Sequence, residues 1–305
     1  MSTPPTAAAS PGYYQPGAGL RLSRWALGTA QKVWPAFAVR AAARLFMTPL
    51  PPKWLQRRTR WDAEWRIAQW TFEDASVTVY DLPAAPHGPI ALLVHGWGGH
   101  AGQMLPLAQA LAQHGFRPVL LELPAHGRSK GTRSSLPQFT RAIDYVAGRL
   151  QQEGHRIGVL VGHSLGATAV AHAASRGVAT DRLVLVAPAA SPRGYTRYFA
   201  QVFGLAESTR AAMQKHIESR EGMLMQHFEP PAVAPRIRVP TLVVHDRGDG
   251  VNRFADGQAF GGHQLRAADG VGIGHAVGET VDAVPAVVHH QRGHADAWAH
   301  GVGLQ

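Results

Sequence analysis

The sequence predicts an α/β fold: a mostly parallel central sheet with helices on both faces and a small helical cap insertion. From residue 70 onward, short apolar runs rich in Val, Ile and Leu alternate with amphipathic stretches, which is typical of parallel sheets covered on both faces. Residues 191–237 interrupt this alternation with a helical stretch that is rich in Phe and Met. Because ligands bind beyond the carboxyl ends of the strands in such folds, the interruption is interpreted as a cap over the ligand site.

The apolar runs predict seven strands, at residues 76–82, 90–95, 117–123, 157–161, 182–187, 239–245 and 264–268. Amphipathic helices are expected between strands, over residues 103–114, 139–150 and 165–175. Upstream of the sheet, apolar residues at helical spacing over 25–46 predict a helix that is broken at Pro35. Residues 54–68 predict a second short helix.

The chain has 305 residues, of which 45% are hydrophobic, so it can hold one large α/β domain with an insertion, or two smaller domains. It has no cysteine, which excludes disulfides, cysteine catalysis and thiolate metal sites. The expected parts are a disordered leader (1–20), a basic and aromatic helical extension (21–69), the α/β core (70–190 and 238–305) and the cap (191–237).

The net charge is +10, and many of the basic residues precede residue 70, interleaved with Trp and Phe. No recognisable nucleic-acid-binding module accompanies them, so nucleic acid is not a predicted partner. The pattern favours a solvated basic face packed on the main domain over a segment that contacts a membrane surface. The start of the chain lacks the pattern of a secretory signal and no run of about 18 apolar residues exists, which predicts a cytoplasmic location, free or peripheral at the inner membrane face.

The pentapeptide Gly162-His163-Ser164-Leu165-Gly166 lies between the apolar run 157–161 and an Ala-rich stretch. A G-x-S-x-G pattern at a strand-to-helix junction is the signature of a nucleophile elbow. The tight turn forces the serine toward positive φ, and only small flanking residues avoid a clash. Ser164 is therefore predicted to be a catalytic nucleophile, although the pentapeptide alone also fits an ordinary Gly-rich turn.

The run 90–95 ends in His95-Gly96-Trp97-Gly98-Gly99, a loop whose small residues allow backbone N–H groups to point toward a ligand. The N–H groups of Trp97 and Leu165 are predicted to form an oxyanion hole. His95 is interpreted as a structural hydrogen-bonding residue in preference to a base.

Asp246 and Asp249 follow the run 239–245, and His275 follows the weak strand 264–268. Asp249 is preferred as the acid of a catalytic triad because it lies in the turn beyond the strand end, whereas Asp246 is interpreted as a turn residue. His275, on a loop of small residues, is preferred as the base. Its rivals among the chain's 17 histidines are His263, His289 and His290.

From about residue 70 to 280, the chain resembles the α/β-hydrolase superfamily. Five segments carry the resemblance: His-Gly-Trp-Gly-Gly, the segment from Glu122 to Ser129, Gly-His-Ser-Leu-Gly, Asp-Arg-Gly-Asp and Gly-Ile-Gly-His. The candidate catalytic residues follow one another along the chain in the order Ser, Asp, His, which is the order of that superfamily. The resemblance implies a two-step acyl transfer in which Ser164 attacks, His275 moves the proton and Asp249 orients the imidazole. No metal or organic cofactor is expected.

The expected substrate is a small molecule with an acyl group, and a carboxylesterase or lysophospholipase-like lipase is the leading hypothesis. Thioesterase, aminopeptidase and carbon–carbon hydrolase chemistry stay open, as does a hydrolase-like protein that binds without turnover. Four apolar residues of the cap are proposed to bind substrate, although they could equally form the cap's own small core: Phe199, Phe203, Met223 and Met225.

The C-terminal segment departs from the superfamily pattern, which supplies an amphipathic helix after the histidine. Residues 276–305 instead carry Pro285, scattered glycines and several histidines. We interpret them as a poorly ordered tail or as the product of an altered reading frame, which resequencing the gene would test. A metal held by His290 and His294 is disfavoured, because no cysteine and only one carboxylate lie near them.

Overall fold

The computed structural model describes residues 17–53, 59–83, 87–189, 191–249, 251–261 and 265–268, with backbone only for 261 and 265–268. Its strands form one sheet in the order β1-β2-β4-β3-β5-β6-β7-β8. β1 and β2 are antiparallel to each other, β2 is antiparallel to β4, and every other pairing is parallel. The strands are β1 (Arg66–Phe72), β2 (Ala75–Asp81), β3 (Ile90–Val94), β4 (Arg117–Glu122), β5 (Ile157–His163), β6 (Leu183–Val186), β7 (Thr241–Val244) and β8 (Leu265–Ala268).

Helices cover both faces of this sheet, which confirms the predicted fold class. The helices are α1 (Ala18–Val33), α2 (Pro35–Phe46), α3 (Leu105–Gln113), α4 (Leu136–Gln152), α5 (Leu165–Ser175), α6 (Pro192–Phe203), α7 (Glu207–Glu221), α8 (Pro230–Val233) and α9 (Phe254–Gly261). α4 and α5 bury one face, where Phe139 and Ile143 contact the strands. α3 buries the opposite face through Ala108 and Leu111. None of the described helices is long and apolar enough to cross a bilayer.

The predicted helix over 54–68 is wrong at its C-terminal end. Residues 59–65 are not helical, and β1 begins at Arg66 and pairs with β2 along its whole length. β1 is an edge strand whose side chains are mostly exposed, so it lacks the apolar pattern that marks a buried strand. The pairing with β2 sets its conformation. Residues 54–58 lie outside the described part of the chain.

The two N-terminal helices pack on the helices that follow β6. The rings of Phe46 and Phe199 meet edge to face at 5.4 Å, and Phe199 lies against Phe203 at 4.4 Å. The Gln31 side chain donates to the Gly204 carbonyl at 3.0 Å and accepts from the Ala206 N–H at 2.8 Å. α1, α2, α6 and α7 therefore share one apolar cluster, separate from the two cores that cover the sheet.

The contact between α5 and the end of β3 is the tightest helix–strand approach next to the predicted nucleophile. A Cβ atom on Gly166 would lie 2.3 Å from the carbonyl oxygen of His95 and 2.8 Å from that of Val94. Both are backbone atoms, so neither can move aside by a rotamer change. Only glycine at this position lets the N-terminus of α5 reach the loop after β3.

We expect Gly166→Ala to lower the free energy of unfolding by about 1–3 kcal/mol, because the added methyl must displace two backbone carbonyls. Urea denaturation at neutral pH measures the change. Gly148→Ala is the matched control: it lies in α4, a Cβ there meets nothing within 4 Å, and it should stabilise the protein by up to about 1 kcal/mol. Equal effects of the two substitutions would contradict the packing argument.

Candidate active site

Ser164 adopts the strained turn that the sequence predicted for it. It lies between β5 and α5 with φ 52° and ψ −122°, a left-handed conformation that non-glycine residues rarely adopt. Its N–H donates to the Val186 carbonyl at 2.8 Å, which ties the turn to β6. A Cβ on Gly162 would lie 2.5 Å from the Cα of Ala167, so the elbow needs glycine on this side as well.

Asn252 holds the Ser164 hydroxyl. Its side-chain Nδ2 donates to Ser164 Oγ at 3.1 Å and to the Ala187 carbonyl at 2.8 Å, while its Oδ1 accepts a short hydrogen bond from the Tyr195 hydroxyl. These partners fix the orientation of the amide, since the tyrosine proton must face an oxygen. Burial raises the pKa of Tyr195, which keeps its hydroxyl protonated as a donor.

Sequence reasoning missed Asn252. The only signal in the sequence is its position three residues after Asp249, in the loop beyond β7 where a carboxylate was expected. Asn252 is 2% exposed, which is unusual for an amide side chain and agrees with its full set of partners.

The loop after β3 lies directly beside the elbow. A Cβ on Gly96 would be 3.0 Å from Ser164 Cβ, so the backbone at Gly96 passes close to the serine. Leu165, on the other side, is the first residue of α5, where backbone N–H groups have no helical acceptor. The two proposed oxyanion donors, Trp97 and Leu165, thus come from backbone segments that flank Ser164.

Two fully buried histidines shape that loop. His95 Nε2 accepts from the Leu123 N–H at 3.2 Å and its Nδ1 lies 2.7 Å from the Gly96 carbonyl. His126 Nε2 accepts from the Gly98 N–H at 3.1 Å and its Nδ1 lies 2.9 Å from the Pro124 carbonyl. Each ring must therefore be neutral with its proton on Nδ1. These contacts support the structural role predicted for His95.

Burial also keeps both rings neutral. Desolvation lowers the pKa of His95 well below its ordinary value and lowers the pKa of His126 to about 4. Protonation of either ring would convert its Nε2 from an acceptor into a donor that faces another donor. The shape of the loop at residues 96–99 therefore depends on two uncharged imidazoles.

Glu122, at the end of β4, joins the strands to the loops around the site. Its carboxylate accepts hydrogen bonds from the Tyr80 hydroxyl at 2.9 Å, the Arg128 N–H at 2.6 Å and the Ala101 N–H at 3.2 Å. The Glu122 side chain is buried, which raises its pKa, and these three donors oppose that shift. Gly127, at φ +45°, has no space for a Cβ because Glu122 Oε1 would lie 2.0 Å away.

Asp249 lies in the same loop as Asn252. Its Oδ1 accepts hydrogen bonds from the N–H groups of Val251 at 2.7 Å and Asn252 at 3.0 Å. Its negative charge raises the pKa of the His163 ring and so opposes the lowering by burial. Asp246, by contrast, is exposed and accepts from the Gly248 N–H at 2.7 Å, which is the turn role predicted for it. The geometry brings Asp249 toward the elbow and leaves Asp246 at the surface.

The remaining predicted site residues lie elsewhere. His275, its rivals His263, His289 and His290, and the whole segment 276–305 lie outside the described residues. Phe199, Phe203 and Met225 are buried in the cluster shared with α1 and α2, and Met223 packs against the sheet core. Their burial agrees with the core role that the sequence left open, and substrate binding by them stays a prediction.

Because His95 and His126 are neutral in the folded protein, we expect the protein to lose stability at pH values above those at which ordinary carboxylates titrate. The unfolded chain binds protons at the usual histidine pKa near 6.5, whereas folded His126 binds one only near pH 4. The free energy of unfolding should therefore fall as the pH drops from about 6.5 toward 4, by roughly 1.4 kcal/mol per pH unit for each such ring. Urea titrations at pH 6.5, 5.8 and 5.0 measure the slope.

His126→Gln is the matched variant, because a glutamine amide can still accept from the Gly98 N–H but does not titrate. Its slope should be smaller by about one proton than that of the unchanged chain. Identical slopes for the two proteins would show that His126 is not held neutral.

Comparisons with known proteins agree with this architecture. A family model, Hydrolase_4, described as "Serine aminopeptidase, S33", matches residues 85–226. A pimeloyl-[acyl-carrier protein] methyl ester esterase from Xanthomonas campestris is 36% identical over 109 residues, which are 35% of this chain and 39% of the relative. The namesake protein of Xylella fastidiosa is 39% identical over 59 residues, 19% of this chain and 23% of the relative. The chain thus matches about two fifths, or less, of the length of these relatives.

Among solved structures, Est1E from Butyrivibrio proteoclasticus, with bound ferulic acid, aligns with a TM-score of 0.55 at 16% identity over 66% of this chain and 88% of that one. A hydrolase from Pseudomonas aeruginosa aligns at 0.52 and 21% identity, over 68% and 91% of the two chains. At these identities the likeness concerns the fold. Fold, elbow and the family-model match over residues 85–226 agree, and the chain has the fold of the α/β-hydrolases.

Proposed function

We propose that this chain is a serine hydrolase that cleaves a carboxylic ester through an acyl-enzyme intermediate. The observation that carries the proposal is the strained backbone of Ser164. Its hydroxyl lies at the carboxyl edge of the sheet, between the loop after β3 and the start of α5, whose backbone N–H groups are the proposed oxyanion donors. Strain of this kind persists only where the surrounding structure enforces it, and it concentrates at functional sites.

The proposed reaction runs in two steps. Ser164 Oγ attacks the ester carbonyl as His275 takes the hydroxyl proton, and the N–H groups of Trp97 and Leu165 stabilise the oxyanion. The alkoxide leaves with the proton from His275, and an acyl-enzyme remains. Water then attacks the acyl carbonyl with His275 again as base, releasing the carboxylic acid and free Ser164. Asp249 is proposed to orient the imidazole and to stabilise its protonated form.

Two features of known relatives bear on the choice of substrate. The curated relatives that share 35–39% identity over part of the chain are named as esterases, which favours an ester. The family model is described as a serine aminopeptidase, which favours an amide bond at a peptide N-terminus as the second candidate. The same nucleophile serves both reactions, because both begin with attack on an acyl carbon.

The first test is covalent labelling. A fluorophosphonate probe should label the folded chain at one site, and Ser164→Ala should abolish labelling because the nucleophilic oxygen is gone. Ser219→Ala, on the exposed surface of α7, is the matched control and should label normally. Folded, unmodified chain that resists the probe would rule out the proposed mechanism.

A substrate panel then separates the two candidates. Acyl esters of increasing chain length and aminoacyl nitroanilides should be compared by kcat/KM with the same preparation. We expect turnover of the esters to exceed that of the nitroanilides, and the reverse order would assign the site to peptide bonds.

Asn252 is predicted to act as a positioning residue for the nucleophile. Asn252→Ala removes the donor to Ser164 Oγ, and we expect kcat to fall roughly 5- to 30-fold, the equivalent of about 1–2 kcal/mol for one such hydrogen bond. KM should change little, because the amide contacts the serine and not the substrate. The rate of fluorophosphonate labelling should fall in parallel.

Arg253→Ala is the control for the Asn252 variant, because Arg253 is the exposed neighbour in the same loop and donates to Asp256. It should leave kcat unchanged. An Asn252→Ala protein of normal stability with unaltered kcat and labelling rate would show that this amide serves the fold alone.

A further inference from the structure

α1, the start of α2 and Trp34 between them carry large apolar side chains that are exposed in the part of the chain that the structure describes. Trp25 is 69% exposed, Trp34 67% and Leu22 65%, and Phe37 (61%) and Val33 (57%) complete the group. Leu22, Trp25 and Val33 fall on one side of α1, since they are separated by three and eight residues. We call these five residues the outer stripe.

The opposite side of the same two helices is already buried. Leu27, Ala42 and Ala43 pack into the cluster shared with α6 and α7. The outer stripe is therefore not the packing face of α1 on this protein. Contiguous exposed aromatic and aliphatic residues of this kind mark interaction surfaces.

The charge of the segment that carries the outer stripe is positive. The first 61 residues contain nine Lys or Arg and no Asp or Glu, so the remaining residues carry a net charge of only +1 out of +10. Five of these cations lie exposed on α1 and α2, and none forms an ion pair with another described residue: Arg21, Arg24, Lys32, Arg40 and Arg44.

We propose that the outer stripe docks on the surface of an anionic lipid bilayer. Trp and Phe favour the headgroup level, where the ring is in an apolar layer and its edge meets water, and flanking Arg and Lys bind lipid phosphates. A second copy of this chain fits less well, because pairing two such surfaces would bring two clusters of positive charge together without a carboxylate between them.

The bilayer proposal does not depend on the chemistry at Ser164. Leu22, Trp25 and the five cations lie on α1 and α2, and Trp34 lies between these helices, which pack on α6 and α7. Binding to lipid and turnover of an ester can therefore be tested on the same protein and can fail separately.

The experiment is co-sedimentation of the full chain with vesicles of phosphatidylglycerol and phosphatidylcholine, compared with vesicles of phosphatidylcholine alone. Binding should require the anionic lipid, weaken with added salt, and shift the tryptophan emission to shorter wavelength. Arg21→Gln with Arg24→Gln should weaken binding about 25-fold, at roughly fivefold for each cation removed.

Control variants elsewhere on the surface test whether binding depends on the outer stripe and its neighbouring cations in particular. Trp25→Ser with Trp34→Ser should weaken binding at least about tenfold and abolish the emission shift, whereas Ile67→Ser, an exposed apolar residue on β1, should not. Arg236→Gln with Arg238→Gln removes two exposed cations just before β7 and should bind like the unchanged chain. Melting temperature and far-UV circular dichroism check that each variant is folded.

Retention of full vesicle binding by both the arginine and the tryptophan variants would overturn the proposal. So would a failure of the unchanged chain to bind anionic vesicles at low salt. A concentration-dependent dimer that is lost in the tryptophan variant, without vesicle binding, would assign the outer stripe to a second copy and would equally overturn it.

Discussion

The close approach of three backbone segments at Gly162, Gly166 and Gly96 is the constraint on which the site depends. β5 must turn into α5 within one residue, and α5 must begin in contact with the loop after β3, which leaves no room for a Cβ at Gly162 or Gly166. Ser164 takes its positive φ because its neighbours are fixed on both sides. The hydrogen bond to Val186 extends this constraint to β6. Placement of the hydroxyl is thus a property of backbone packing, and side chains refine it.

Around that packing, polar groups in the interior hold loops that have no regular structure. His95, His126 and Glu122 accept backbone N–H groups from three loop residues, Gly98, Leu123 and Arg128, and Glu122 also accepts that of Ala101, which begins a short 3-10 helix. Segments that lack a helix or strand thus still have hydrogen-bond partners. The arrangement requires neutral imidazoles next to an ionised carboxylate within a small volume. Burial favours the first of these states and opposes the second, and the three donors to Glu122 offset part of that cost.

The sequence could predict those elements of the fold whose buried faces produce apolar runs or apolar residues at regular spacing. The parallel strands β3 to β7 and the helix after Ser164 follow directly from apolar runs and their boundaries. β1 was missed because its side chains face solvent and its conformation comes from pairing with β2. Asn252 was missed for a related reason: an amide in a loop acquires its role from Ser164, Ala187 and Tyr195, which lie 57 to 88 residues away along the chain. Asp249 could be selected from the sequence because a carboxylate after a strand end is itself a recognised signal, and its role in a triad stays a prediction.

The Gln31 side chain joins α1 to the connection between α6 and α7. Its amide donates to the carbonyl of Gly204, the residue directly after α6, and accepts from the N–H of Ala206, the residue directly before α7. α1 is thereby hydrogen-bonded to the turn that connects α6 and α7. A shift of α6 or α7 that left α1 in place would break these two hydrogen bonds and open the apolar cluster that the helices share.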